Sequence, residues 1–336
     1  MPRPNRTSAT EHFDMKILVT GGAGYIGSTL VPLLLNAGHS VRVLDNLNHG
    51  GAPLLPAWSD PAFEFRRGDI RDRSAMASAL SGIEAVVHLA AIVGDPACAR
   101  DPGLARSVNL DASLSLIEES RRSGVQRFIF ASTCSNYGKM KDPDHFVDEE
   151  SELSPVSLYA ETKVAVEKFL LAGSNGQGWS PTPLRFATIF GTSPRMRFDL
   201  TVNEFTMEML VKKRLVVFGE QFWRPYVHVR DAGRAIKLVL ESALGKVSGR
   251  VFNVGATDQN FQKQQLVELI RPHAPDAIVE FVHKAEDPRD YRVSFSRISE
   301  QLGFHITRTV REGIAEVSRL VHENVIDDFE NRSYRN

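Results

Sequence analysis

The chain has 336 residues, of which 42% are apolar and 24% charged, with a formal net charge of −1. A packed core is expected and wholesale disorder is excluded. The charge balance speaks against nucleic acid or an anionic membrane as partner, and leaves room for a local cationic site for a small anion.

The only cysteines, Cys98 and Cys134, form neither a disulfide framework nor a metal-ligand cluster, so no metal is expected and a reducing cytoplasm is the natural setting. No apolar run reaches the roughly 18 residues needed to span a bilayer. Residues 1–14 are polar and proline-bearing, without the apolar stretch of a secretory signal, and are expected to form a mobile leader.

Pattern begins at Lys16–Thr20 (KILVT), a short apolar run followed at once by glycines. Residues 25–37 read as a helix stopped by Gly38, with Pro32 expected to kink it or remove one backbone bond. Strands are predicted at 40–44, 63–66, 85–89, 127–131 and 182–186, and helices at 73–80, 104–123 and 155–172. Short, nearly continuous apolar strands alternating with helices predict a doubly wound α/β fold, a parallel sheet covered on both faces. Beyond residue 191 the rhythm loosens. Helices are expected at 202–212, 231–244, 262–271 and 310–324, with brief strands at 215–218, 251–254 and 279–282. Residues 15–190 are therefore expected to form a Rossmann domain, with returning segments from about 225–255. Residues 191–336 are expected to form mainly a smaller C-terminal α/β lobe for the substrate.

Between the first strand and its helix lies Thr20-Gly21-Gly22-Ala23-Gly24-Tyr25-Ile26-Gly27. Glycines let the backbone turn tightly and let a pyrophosphate approach the helix N-terminus, where free N–H groups and the helix dipole favour an anion. An ordinary tight turn is the alternative for a glycine triplet alone. Asp45 ends the second strand, close to the spacing at which an acid accepts from the adenosine ribose hydroxyls. It would repel a 2′-phosphate, which favours NAD over NADP. Arg42 is expected to point away from that ribose by strand alternation. Asp69-Ile70 follows the third strand, where an acid can meet an adenine amino group or simply cap a helix.

Gly-Gly-x-Gly-x-x-Gly resembles the signature of the short-chain dehydrogenase/reductases. His88-Leu89-Ala90-Ala91 is similar to their fourth-strand motif, and Asn109 to their helix asparagine near the cofactor. The resemblance implies that Gly21, Gly24, Tyr25, Ile26, Gly27, Asp45, Asn46, Asp69, Ile70, Leu89, Ala90, Ala91, Asn109 and Phe186 bind the cofactor, NAD.

Tyr159-Ala160-Glu161-Thr162-Lys163 is the sharpest signal, because positions i and i+4 of a helix share a face. The lysine ammonium is expected to lower the phenol pKa so that the tyrosine can exchange a proton near neutral pH. Thr133 lies four residues before the Tyr137-Gly138 pair. This spacing resembles that of extended short-chain dehydrogenase/reductases, specifically nucleotide-sugar epimerases and dehydratases, over about residues 16–320. The resemblance implies hydride transfer at a sugar carbon, usually C4. Tyr159 would be acid/base, Lys163 would tune it and bind the nicotinamide ribose, and Thr133 would orient the substrate.

Sugar 4,6-dehydratases of this type place Asp-Glu directly after the threonine, where this chain has Cys134-Ser135. Water elimination is therefore not expected. The thiol of Cys134 is either a substrate-side group or a packing residue. On the substrate side, Cys134, Ser135, Thr188, Asn203, Arg224 and Arg289 occupy positions that the resemblance assigns to a nucleotide-diphosphate sugar. Guanidinium forks suit phosphate oxygens. Segments 90–96 and 193–199 are similar to a branch acting on deoxysugars and heptoses.

Three readings stand. One is a nucleotide-sugar 4-epimerase recycling NAD through a 4-keto intermediate. The second is a net 4-dehydrogenase or 4-keto reductase, and the third a non-catalytic dinucleotide-binding protein. The helices predicted at 104–123 and 155–172 correspond to the pair that joins relatives into homodimers.

Overall fold

The computed structural model describes residues 14–140, 142, 145–174, 178–287 and 289–336. Apart from Asp14, the expected leader lies outside them. Strands run at Lys16–Thr20 (β1), Ser40–Asp45 (β2), Phe63–Arg67 (β3), Ala85–His88 (β4), Arg127–Thr133 (β5), Ser180–Phe186 (β6), Thr188–Phe190 (β7), Arg214–Phe218 (β8), Trp223–His228 (β9), Phe252–Val254 (β10), Asn260–Gln262 (β11) and Ile278–Val282 (β12). The helices are Gly27–Asn36 (α1), Arg73–Leu80 (α2), Asp95–Arg100 (α3), Pro102–Arg106 (α4), Ala112–Arg122 (α5), Leu158–Ala172 (α6), Thr201–Met207 (α7), Val229–Glu241 (α8), Leu244–Val247 (α9), Lys263–Ile270 (α10), Ser296–Leu302 (α11) and Val310–His322 (α12).

Seven parallel strands form one sheet in the order β10-β6-β5-β4-β1-β2-β3. The order reverses beside β1, so the cleft that such a switch opens lies at the C-terminal ends of β1 and β4. Alternation along β1 sends Ile17 and Val19 into one apolar layer, with α1 and α8, and Leu18 into the other, with α2, α5 and α6. This is the doubly wound α/β architecture that the sequence predicts. A second body of apolar side chains, including Phe190, Phe198, Tyr226, Leu266 and Ile314, gathers α7, α10 and α12 beside small sheets β11-β9-β7 and β12-β8.

Pro32 stays inside an unbroken α1. The helix predicted at 104–123 is instead α4, a π turn at Ser107–Asp111, and α5. That wider turn carries Asn109, and π turns inside helices commonly mark working positions. The helix expected from residue 155 starts at Leu158, because Ser157 is extended and its Oγ accepts from Ala160 N. Among the described residues, no helix is long and apolar enough to cross a membrane.

Candidate active site

The glycine loop is shaped by close backbone approach. Gly21 has φ +74, and a Cβ there would stand 2.7 Å from the backbone nitrogen of Ala90. A Cβ on Gly27 would collide with the carbonyl oxygen of Gly21. Ile26 starts α1 with no side-chain cap, so the first turn keeps the anion-binding character of an open helix end. Asp45 is tied to this loop: Oδ2 accepts from Ala23 N at 3.0 Å and Oδ1 from Leu47 N at 2.8 Å. Burial raises its carboxyl, and the two N–H donors pull it back. Asn46 Nδ2 donates to Asp69 Oδ2 at 3.3 Å, joining the ends of β2 and β3. Asp69 is held at about 2, chiefly by hydrogen bonds from Arg71. Arg42 points away, as alternation predicts, and binds Glu64 and the carbonyls of Ala79 and Ser81. Ile70 is buried, while Leu89, Ala90 and Ala91 are half-buried at the open end of β4. This loop, acid and strand-end set fits a dinucleotide.

Thr133 on β5 and the Tyr159–Lys163 pair on α6 lie on the sheet that also carries the glycine loop. Thr133 closes β5, and its Oγ1 accepts from Ser135 N at 3.1 Å, which leaves the hydroxyl proton to donate. Lys163 is buried, 4% exposed, and its Nζ donates to Ala131 O at 2.8 Å. The ammonium lies 4.7 Å from the Phe130 ring centre and 5.8 Å from that of Tyr159. Burial pulls Lys163 down to about 8. The expected activation of Tyr159 is corrected here. Its phenol is raised above the ordinary value, chiefly by burial, and Lys163 is aimed at the β5 backbone rather than at the phenol. His88, pushed down to about 3 by burial and then by Lys163, is a neutral bridge from Thr20 to Ser113.

A polar network lies beneath this constellation. Glu167, one turn beyond Lys163, receives Arg185 Nη2 at 2.8 Å and Asn136 Nδ2 at 2.8 Å, and also the Ser132 hydroxyl. Arg185 Nη1 reaches the Tyr137 hydroxyl at 3.0 Å, which donates to Asn253 Oδ1 at 2.7 Å. The network links β5, β6, β10 and α6, so Thr133 and the Tyr159–Lys163 pair are braced by one set of buried bonds.

Several expected ligand residues are reassigned by their surroundings. Cys134 is 1% exposed, and its thiol donates to Arg185 O at 3.2 Å, so it packs and does not face substrate. Asn203 is 0% exposed and bonds Gly191 N, Gly191 O, Arg197 O and the Tyr25 hydroxyl, with no donor left for a diphosphate. Asn109 is buried and clasps both backbone atoms of Ile92, so it shapes the loop after β4 rather than touching a cofactor. The Tyr25 side chain turns inward, donating to Gly191 O at 2.5 Å. Ser193 joins Ser28, Thr29 and Tyr25 O, forming a seam between the glycine loop and the segment after β7. Phe186 is buried at the end of β6 and Thr188 is half-buried.

Three residues without an expected role complete the cleft wall. Asp95 receives the Ser157 hydroxyl at 2.7 Å and Arg289 Nη1 at 2.7 Å. The Tyr291 hydroxyl lies 3.3 Å from Ser135 Oγ, and the Arg224 guanidinium lies 5.6 Å from the Tyr291 ring centre. Ser157 could have been found as a serine three places before Ala160 at a helix start. Asp95 and Tyr291 carried no local signal.

A family model described as the NAD dependent epimerase/dehydratase family matches residues 17–255. UDP-glucose 4-epimerase of Corynebacterium glutamicum is 29% identical over 321 residues, covering 90% of this chain and 94% of that protein. dTDP-glucose 4,6-dehydratase of Streptomyces niveus is 31% identical over 322 residues, covering 92% and 94%. Among solved structures, DesIV, a dTDP-glucose 4,6-dehydratase of Streptomyces venezuelae with NAD bound, superposes with a TM-score of 0.82 at 27% identity, covering 96% and 99%. The glycine loop, the sheet order and the matched span agree, and the chain belongs to the NAD dependent epimerase/dehydratase family.

Proposed function

We propose that this protein is an NAD-dependent nucleotide-sugar 4-epimerase acting by transient oxidation at C4. The observation that carries the reading is Lys163 bonded to Ala131 O on β5, two residues before Thr133, and 5.8 Å from the Tyr159 ring centre, on the sheet that carries the Gly21–Gly27 loop and Asp45, with Cys134-Ser135 in place of an acid pair. NAD, when bound, supplies a nicotinamide ring that accepts a hydride and returns it. Gly21, Gly24, Ile26 and Gly27 would hold its pyrophosphate, Asp45 its adenosine ribose, and Lys163 its nicotinamide ribose. The Asp45 carboxylate accepts from ribose hydroxyls and repels a 2′-phosphate.

Thr133 donates its hydroxyl proton to the substrate oxygen and fixes its position. Tyr159 moves the proton at that oxygen. Its phenol is raised by burial, and a positive charge brought beside it would lower it. Cys134 is turned into the core and Ser135 is a weak acid, so neither supplies the acid/base pair that water loss at C5 and C6 demands. A net 4-dehydrogenase or 4-keto reductase would use the same three residues.

Steady-state turnover separates these readings. The protein loaded with NAD is mixed with UDP-, GDP-, CDP- and dTDP-sugars while absorbance at 340 nm and product stereochemistry are followed. Epimer formation without lasting absorbance change is expected. A stoichiometric change at 340 nm would identify a net oxidoreductase. We also propose a homodimer through α5 and α6, which a monomeric sedimentation value at micromolar concentration would exclude.

A further inference from the structure

One wall of the cleft holds an imbalance of charge. Asp287 Oδ2 accepts from Arg224 Nη2 at 2.7 Å and lies 4.0 Å from Lys263 Nζ, while Asp287 Oδ1 lies 3.7 Å from Arg289 Nε. The side chains of Arg224 and Asp287 are each 11% exposed, so this pair is largely desolvated, while Arg289 reaches solvent. Asp95 takes a second arm of Arg289. Among the described residues, Arg224, Arg289 and Lys263 face Asp287 and Asp95, and Lys284 adds a further positive charge near Lys263. The stack of Arg224 on Tyr291, and the contact of Tyr291 with Ser135, join the cluster to the turn that follows Thr133.

Lys263 is the least expected member. It is the first residue of α10, where the positive end of the helix dipole opposes a cation. Its Nζ is held towards the cluster by donation to Phe218 O at 2.7 Å. Burial, then Arg224, pulls its ammonium down to about 8, with Arg289 and Lys284 acting the same way and Asp287 opposing them. A lysine set against a dipole and two guanidiniums is poorly placed for stability and well placed for an anion.

We propose that Asp287 is an internal counter-ion that the diphosphate of the nucleotide sugar displaces, and that Lys263 is the third cation of the diphosphate site. This rests on the nucleotide-sugar reading given above. A guanidinium fork accepts carboxylate or phosphate oxygens through the same geometry, so exchange at Arg224 keeps its hydrogen bonds. Asp287 and Asp95 together leave positive charge in the cluster uncompensated; a diphosphate brings about two negative charges and more oxygens. Arg224, Lys263 and the Nε side of Arg289 pass from Asp287 to the ligand, while Arg289 Nη1 keeps its hold on Asp95.

Calorimetric titration of the full chain, loaded with NAD, tests this with UDP, dTDP, GDP and CDP, using the tightest as probe. Lys263→Met is expected to bind the probe about tenfold more weakly, with recovery in Lys263→Arg. Asp287→Asn is expected to bind it several-fold more tightly, because the competing charge is gone. Unchanged affinity in Lys263→Met removes Lys263 from the site. Weaker binding in a folded Asp287→Asn overturns the counter-ion role and makes Asp287 a scaffold for the arginines. Should Asp287→Asn not fold, a crystal structure of the wild type with the probe decides. The Arg224–Asp287 hydrogen bond is expected to be broken with phosphate in its place, and a bound phosphate beside an intact pair refutes the exchange. Binding of NAD without binding of any of the four nucleotides would instead overturn the nucleotide-sugar reading itself.

Discussion

The carboxylate of Asp95 accepts the Ser157 hydroxyl at 2.7 Å, while Ser157 Oγ caps α6 by accepting from Ala160 N at 3.3 Å. The helix that presents Tyr159 is thus fixed at its start by the first residue of α3. Ser157→Ala removes both bonds. A loss of about 0.5–2 kcal/mol is expected from the cap alone, read as a lower denaturation midpoint, together with reduced kcat from a less fixed Tyr159. Unaltered stability and turnover would deny Ser157 this role.

Tyr159→Phe keeps the ring and its packing and removes the proton. Turnover is expected to fall by about 10²–10⁴, the usual worth of a positioned acid/base group, with the NAD content of the purified protein unchanged. Activity near that of the wild type would refute the assignment.

Lys163 sets a pH dependence of stability. Its ordinary value of 10.5 is lowered to about 8 in the folded protein by burial. Between these values the unfolded chain binds more protons, so stability rises with pH across that window and is lost as pH falls through 8. Compared with Lys163→Met, the wild type should gain on the order of 3 kcal/mol over this range, at about 1.4 kcal/mol per pH unit. Denaturation curves of both proteins from pH 7 to 11 provide the comparison. A constant difference between them would show that the ammonium is not desolvated.

Glu167 and Arg185 are 1% and 4% exposed. Glu167→Gln leaves the guanidinium without its counter-charge, and breaking such a pair costs about 3–5 kcal/mol. Because the same carboxylate holds Asn136 and Ser132, disorder around Thr133 is expected as well, seen as a rise in KM beyond the loss of stability. A mild variant with wild-type kinetics would mean that the network does not brace the site.

Asp45→Ser should narrow the preference for NAD over NADP by about tenfold or more, through loss of repulsion at the ribose. Titration of both dinucleotides reports the ratio. An unchanged ratio would place the discrimination elsewhere.

The main sheet was readable because its strands are buried on both faces, and runs such as KILVT leave little choice. Strand β9 was not, because Trp223-Arg224-Pro225-Tyr226 mixes charge and proline in the middle of a sheet, where proline removes a ladder donor. Strands β7 and β11 are three residues each, too short for any period to show. The place of Thr133 at a strand end, and of Tyr159 and Lys163 on one helix, was legible because each depends on local pattern alone. Asp95 and Arg289 are 194 residues apart, and only the fold makes them neighbours. Cys134 and Asn203 had the right positions, but which way a side chain turns at a strand or helix end depends on what is packed beneath it.

The seam between Tyr25, Ser28, Gly191, Ser193 and Asn203 has a thermodynamic corollary. It makes the turn that faces the dinucleotide and the entry to the C-terminal half parts of one hydrogen-bonded body. Linkage is reciprocal, so whatever factor the dinucleotide exerts through this seam on the affinity of a ligand held by the C-terminal half must equal the factor in the opposite direction. Affinities for either are therefore compared at a stated level of the other.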